Sequence, residues 1–470
     1  MSSTVSGGVP PAEDLGRIHF IAIGGAGMSG IARIMLRRGL PVSGSDARDG
    51  ELLGQLAALG AKVDVGHDAA HLGDADTVVV STAVRESNPE LAEARRRGLR
   101  VLHRSEALAA LMADRRAVAI AGTHGKTTTT SMLTVALQRA GADPSYCIGG
   151  QLVTTGLGAD EGTGDVFVAE ADESDGSFLR YSPSIAVITN VEADHLDNYG
   201  GFDEVKENFA RFVDRIVPGG TLVASADDPV VRELADRARG RGLTVLTYGE
   251  AADADLRTTA FTPRGLGSVF TIPGVGDVAL GVPGRHNAHN ATACVAVARA
   301  LGLDLHAVRE GLREFGGAMR RLERKGSAGG VEVFDSYAHH PTELSADLSA
   351  TRDYLGERGG EGRIVAVFQP HLYSRTRFFA EEFGAALGLA DVAVVLDVYG
   401  AREDPEPGVT GQLVADRVPA ATETVYAPDF DAVPALVAGL ARRGDLVITL
   451  GAGDVTRLGP LVLDAVSATS

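Results

Sequence analysis

Two cysteines in 470 residues, Cys147 and Cys294, exclude a disulfide framework, and no Cys/His spacing for a structural metal accompanies them. That usage fits a reducing cytoplasm. No lysine- or arginine-rich run occurs and the net charge is −18, which argues against nucleic acid or an anionic membrane surface as a partner. No stretch is long and apolar enough to span a bilayer, and no obligate protein partner is evident. Residues 1–16 are small, polar and proline-bearing, without the basic start and apolar core of a signal peptide; they read as a disordered tail. What remains is ordinary globular material, 44% hydrophobic and 23% charged. At roughly 150 residues each, it amounts to about three domains.

The most informative stretch is AVAIAGTHGKTTTTS, Ala117–Ser131. Four apolar residues, Ala117–Ile120, read as a buried strand. Gly122, Thr123, His124 and Gly125 form a short loop, and Lys126 opens an amphipathic helix that Gly141 stops. Strand, glycine loop, Lys-Thr and helix is the layout that holds a nucleotide triphosphate. Loop N–H groups and the helix N-terminus face the phosphates, the lysine reaches them, and a threonine hydroxyl is available to Mg²⁺. The strict G-x-x-x-x-G-K-[ST] pattern is not met, because Ile120 stands where its first glycine belongs. The bland alternative is a glycine-bearing turn with an exposed lysine.

Earlier in the chain a strand at Ile18–Ile23 runs into Gly25-Ala26-Gly27-Met28-Ser29-Gly30 and a helix. This is a G-x-G-x-x-G in strand–turn–helix context. Asp46 ends the next strand, about 20 residues on, where a Rossmann domain grips a ribose. The first domain therefore binds a nucleotide diphosphate group, NAD being the simplest guess, and closes near Arg115.

After the Lys126 loop, the apolar strand Val166–Ala169 ends in Glu170, Asp172, Glu173 and Asp175, a Walker-B-like place for Mg²⁺. A second buried strand leads to Asn190, Glu192, Asp194, His195 and Asp197, with His195 a metal or phosphate candidate. Asn287 and Asn290 share one face at a helix start, where N-capping is the plain reading. Arg320 and Arg321 mark the exit from this domain. The last part is again α/β, with strand-like VEVFDSY, RIVAVFQP, VAVVLDVYG and LVITLGAGD. Polar residues gather after the first two: Asp335, Tyr337, His339 and His340, then Gln369, His371, Arg375 and Arg377. His339, His340, Arg375 and Arg377 are amine-side candidates, since an arginine can pair with an amino acid's carboxylate.

In this order GGAGMSG, GTHGKTTT, AEADESD, TNVEADH, GRHNAHN, a basic exit and FDSYAHHPTE resemble the Mur ligase family over about residues 17–460. Within it, GGAGMSG, EADESD and the DSYAHHP–FQPH pair look like the member that joins L-alanine to UDP-N-acetylmuramate. The resemblance implies an α/β protein of three domains. These are a Rossmann-like UDP-binding domain at 17–115, a central P-loop ATPase domain with a mostly parallel sheet at 116–322, and a C-terminal Rossmann-like domain at 323–470 on the amino-acid side. It implies a cytoplasmic ligase that uses ATP and Mg²⁺ on the small molecules UDP-N-acetylmuramate and L-alanine, through an acyl phosphate. UDP replaces NAD on Gly25, Ala26, Gly27, Met28, Ser29, Gly30 and Asp46. Residue by residue, Gly122 to Thr128 with Lys126 and Thr127 would serve ATP, and Thr127, Glu170 and His195 the metals. Asn287, Asn290, Arg321 and Asp335 would complete the nucleotide site. Many sister ligases carry a carbamylated lysine about 15 residues after the histidine; Ala210 stands there, with Lys206 nearest, so no carbamate is assigned. Three other readings are open: a relative that adds a preformed peptide, a dehydrogenase built on GAGMSG, and a non-catalytic nucleotide-binding scaffold. The dehydrogenase leaves GTHGKTTT and EADESD unexplained, and the intact Lys126, Thr127, Glu170 and His195 set opposes a scaffold.

Overall fold

The computed structural model describes residues 10–194 and 199–469. Among the described residues the chain is α/β, with four sheets and two compact units. The first unit comprises the described residues of Met1–Thr259, Ile272–Val275 and His289–Phe315; the second comprises Ala260–Thr271, Gly276–Ala288 and Gly316–Ser470.

The first sheet is formed by β1 (Ile18–Ile21), β2 (Val42–Asp46), β3 (Lys62–Val65), β4 (Thr77–Val80) and β5 (Arg100–His103), ordered 3-2-1-4-5. All its pairings are parallel. The order reverses beside β1, and the first glycine loop leaves β1 at that reversal, the place where such sheets hold ligands.

The second sheet contains β6 (Arg116–Ala121), β7 (Ser145–Cys147), β8 (Ala159–Asp160), β9 (Val166–Glu170), β10 (Ile185–Ile188), β11 (Thr221–Ser225), β12 (Thr244–Gly249) and β13 (Leu256–Arg257), ordered 13-12-11-10-6-9-7-8. β8 runs antiparallel to β7. β6 is paired on one side with β10 and on the other with β9, both parallel. Strands buried on both faces read as unbroken apolar runs, which is why AVAIA, VFVA and IAVI stand out. Their shared direction delivers Gly122, Glu170 and Thr189 to one edge. One apolar cluster, from Ile18 through Leu111 and Phe167 to Leu243, runs through both sheets. The first two expected domains therefore share a core.

A three-stranded sheet, β14 (Thr259–Arg264), β15 (Gly267–Ile272) and β16 (Gly276–Leu280), follows. The last sheet has β17 (Glu323–Ala328), β18 (Val331–Ser336), β19 (Ile364–Phe368), β20 (Val392–Val395), β21 (Glu423–Tyr426) and β22 (Leu446–Leu450), ordered 17-18-22-19-20-21. Only β17 is antiparallel to its neighbour. β17 and β21 are the edge strands, ERKGSA and ETVY, and neither carries the apolar run that betrays the other four.

One expectation is corrected. Ala12–Leu15, assigned to a disordered tail, forms a turn of 3-10 helix. Ala12 and Leu15 are fully buried, and the Leu15 carbonyl accepts a hydrogen bond from Thr77 Oγ1 at 2.7 Å. Two apolar side chains three apart sufficed to dock a segment whose composition is otherwise polar.

Candidate active site at the second glycine loop

The second glycine loop is shaped by the segment that follows β10. The Asn190 side-chain oxygen accepts from the His124 N–H at 2.8 Å, and its Nδ2 donates to the His124 carbonyl at 3.1 Å. Thr189 Oγ1 donates to that same carbonyl at 2.6 Å. The Glu192 N–H donates to Thr123 Oγ1 at 2.8 Å. Gly122 has φ 138°, and a Cβ there would stand 2.0 Å from Thr189 Oγ1. Gly125 is left-handed, with φ 82°, and a Cβ on it would stand 2.9 Å from Asn290 Oδ1. No side chain fits at either position. The loop thus turns directly into the helix Lys126–Arg139, with the helix N-terminus as the anion-facing end. Thr128 lies in its first turn and is 9% exposed.

Lys126 Nζ donates to the Gly122 carbonyl at 2.6 Å, the Thr123 carbonyl at 3.2 Å and Glu173 Oε1 at 2.9 Å. Burial alone would lower the lysine's pKa, but the charges of Glu173, Asp172 and Glu170 outweigh it and hold the pKa above the usual value. Burial lifts Glu173 to about 7, against the pull of Lys126 and with the help of Asp172. The two directions agree: one ammonium faces three carboxylates, so the cation is over-compensated while Glu173 is under-compensated.

Glu170, at the end of β9, accepts from Thr127 Oγ1 at 3.1 Å and from the Gly149 N–H at 2.7 Å. A hydroxyl and a carboxylate so close are hard oxygen donors of the kind Mg²⁺ takes, and they fit that ion. His195 and Asp197 lie outside the described residues. Asn287 donates through Nδ2 to the Pro283 carbonyl at 2.7 Å. Ala210 is buried on the helix Phe202–Asp214 and Lys206 pairs with Asp203.

At the first glycine loop, Asp46 Oδ2 accepts from the Gly24 N–H at 2.9 Å, so the carboxylate shapes the loop itself. Gly25 precedes the helix Ala26–Arg37. Met28 and Ser29 are buried, and Ser29 Oγ donates to the Ala26 carbonyl. A Cβ on Gly30 would stand 3.0 Å from Ala159 Cβ, so this glycine lets the helix approach β8.

In the second unit Asp335 is fully buried at the end of β18. It accepts from Thr449 Oγ1 and Thr456 Oγ1, each at 2.6 Å, and pairs with Arg320 at 3.3 Å. Arg320 and Arg321 both lie over the Tyr337 ring, 4.8 and 5.2 Å from its centre. His339 and Arg375 come together around His371: the two imidazole centres are 6.1 Å apart, and Arg375 Nη1 lies 3.4 Å from His371 Nδ1. His340 caps the helix Pro341–Glu357, and Arg377 pairs with Glu406 at 3.4 Å. Sequence reasoning did not single out Glu173, Asn190 or Arg320 for the contacts found here. AEADESD and the Asn after β10 are visible in sequence, but which acid meets the lysine depends on how the loop turns.

Two glycine loops on parallel sheets, one of them armed with a lysine and flanked by carboxylates, define a multidomain nucleotide-dependent enzyme. Residues 17–116 match the Mur ligase family catalytic domain, 120–298 the Mur ligase middle domain, and 320–453 the Mur ligase glutamate ligase domain. The UDP-N-acetylmuramate–L-alanine ligase of Thermobifida fusca is 60% identical, covering 96% of this chain and 97% of its own. That of Nocardioides sp. is 57% identical, with 97% of each covered. The solved UDP-N-acetylmuramate–alanine ligase of Thermotoga maritima superposes with a TM-score of 0.79 at 28% identity, covering 97% of this chain and 100% of that one. The chain belongs to the Mur ligase family, a family of ATP-dependent ligases.

Proposed function

We propose that this protein joins L-alanine to the lactoyl carboxylate of UDP-N-acetylmuramate, driven by ATP, in peptidoglycan precursor synthesis. The observation that carries the reading is Lys126 at a glycine loop, with Glu170 and Glu173 delivered beside it by the neighbouring strand. In this reading 17–115 holds UDP, 116–322 holds ATP and 323–470 receives the amino acid, in the cytoplasm where those substrates are made.

A carboxylate oxygen is a poor leaving group in amide formation. Transfer of the γ-phosphoryl to the lactoyl carboxylate forms a new P–O bond and releases ADP. The amine nitrogen then attacks the acyl carbon, phosphate leaves, and the nitrogen loses a proton. Phosphoryl transfer is mostly position and charge. Lys126 and the loop N–H groups neutralise the phosphates; Gly122 and Gly125 let the backbone approach them. Thr127 and Glu170 would hold Mg²⁺, which would supply neutralisation of the phosphate charge. Asn287, Asn290, Arg321 and Asp335 are assigned to the nucleotide, and His195 to the metal side. Arg375, beside His371, is assigned to the alanine carboxylate. Met28 and Ser29 are assigned to UDP as part of the same loop, the Ser29 N–H itself donating to the Gly25 carbonyl at 2.8 Å.

The amine-side candidates His339, His340, Arg375 and Arg377 belong to the last domain rather than to the Lys126 loop, which supports activation before amine attack. ATP labelled at the β,γ-bridging oxygen should scramble its label when UDP-N-acetylmuramate is present and alanine is absent. Mass spectrometry of the product made with alanine or with a tripeptide then identifies the amine. Label that moves only after alanine is added overturns stepwise activation, and a product bearing only the peptide overturns the alanine assignment.

A further inference from the structure

Arg104 opens the helix Arg104–Met112 at the C-terminal end of β5, the edge from which the first glycine loop leaves β1. Its place is fixed locally by a capping box: His103 caps the helix, and the His103 N–H donates to Glu106 Oε2 at 2.8 Å. From there the guanidinium reaches two ways. A Cβ built on Gly27 would lie 3.5 Å from Arg104 Nη1, so the cation stands over the backbone of the first glycine loop. Nη2 lies 3.6 Å from Asp172 and 3.9 Å from Asp175, carboxylates of the loop after β9. Both separations exceed hydrogen-bond length, and the side chain is 27% exposed. The arginine is held by charge on one side while its fork of donors stays accessible on the other.

A helix N-terminus offers a diphosphate only partial charges. An arginine adds a full charge in a geometry that matches two phosphate oxygens. We propose that Arg104 clamps the diphosphate of the sugar nucleotide onto Gly25–Gly30, and that Asp175, with Asp172, is a positioning residue that holds the guanidinium over the loop. The inference rests on the assignment of UDP to the first glycine loop. Loss of the Asp175 charge then acts opposite in sign to simple Coulomb expectation. Removing a negative charge near a bound anion should tighten binding by reduced repulsion. Removing Asp175 should instead weaken it, because the arginine loses its anchor.

Calorimetric titration of UDP into the full-length chain tests this. Arg104→Met should weaken binding at least tenfold, and Arg104→Lys should recover part of the loss. Asp175→Asn should weaken it severalfold, and the Arg104→Met/Asp175→Asn double variant should be no weaker than Arg104→Met alone. Melting temperatures without UDP should match the parent, and Arg104→Lys serves if Arg104→Met does not fold. UDP affinity unchanged in Arg104→Met overturns the inference, as does tighter binding in Asp175→Asn or losses that multiply in the double variant. A parent chain that does not bind UDP overturns the functional reading, and this inference with it.

Discussion

Lys126 and Glu173 form a buried pair, 2.9 Å apart, in which each side chain decides the charge of the other. Lys126→Ala should cut phosphate release on the order of a hundredfold or more, the usual cost of removing a donor aimed at developing charge. The fold should survive, because Glu173 can take up a proton once its cation is gone; near-parental phosphate release would end the assignment of this loop to ATP. Glu173 also imposes a pH dependence on stability. Its folded pKa, about 7, lies above its ordinary 4.5. The folded state is therefore favoured most below about pH 4.5 and loses that advantage as pH rises through about 7. Glu173→Gln removes the titration. The variant should gain on the parent by roughly 1–3 kcal/mol between pH 5 and pH 8 in urea denaturation. A parent-minus-variant difference flat across that range would contradict the raised pKa.

A second buried carboxylate works at the level of elements. Glu90, on the helix Pro89–Arg96, is fully buried against the first sheet. It meets His19 Nε2 of β1 at 3.0 Å and accepts from Ser45 Oγ of β2 at 2.7 Å and the Asp68 N–H at 3.2 Å. Burial would raise its pKa, but the bonds to His19 and Ser45 outweigh it and hold it at about 2. The stability it contributes is present above about pH 4.5 and is lost as pH falls toward 2. Glu90 joins a helix to two strands next to the Asp46 end of β2, and to the loop after β3 through His67 Nδ1 at 3.3 Å and the Asp68 N–H. Its role is to hold the first sheet together. Glu90→Gln should cost about 2–4 kcal/mol at pH 7, as expected for a broken buried polar network. UDP affinity should be retained in the folded fraction, and an unchanged urea midpoint would show that the network contributes nothing.

At the scale of the molecule, the two units have separate cores. In the second, Phe334, Phe368, Phe383 and Ile448 pack on one side of the last sheet, and Val333, Val367, Val394 and Val447 on the other. A sheet covered on both faces, with its own core, has what a domain needs to fold alone. Residues 316–470 expressed by themselves should melt cooperatively. They should be less stable than the intact unit, because Leu266 packs against this core from the segment Ala260–Thr271. A fragment with no thermal transition would show that the unit depends on the rest of the chain.

The central strands, both glycine loops, the acidic loop after β9 and the family were all readable from the chain. Each is a local feature: an apolar run buried on two faces, a glycine required by a positive φ, a lysine opening a helix. β17 and β21 were not readable, because an edge strand needs no apolar run, and Ala12–Leu15 was misread because two buried side chains do not shift a composition. Pairings between distant segments were also beyond reach. The sequence shows one acid at the end of β9 and three after it, but only the turn of that loop decides that Glu173 meets Lys126, Glu170 meets Thr127, and Asp172 and Asp175 face Arg104. Residue types and their spacing determine which chemistry is possible, since those are properties of single segments. Which partner each charge meets, and so its protonation, is decided by the order 10-6-9 of three parallel strands that bring residues 122, 170 and 189 to one edge.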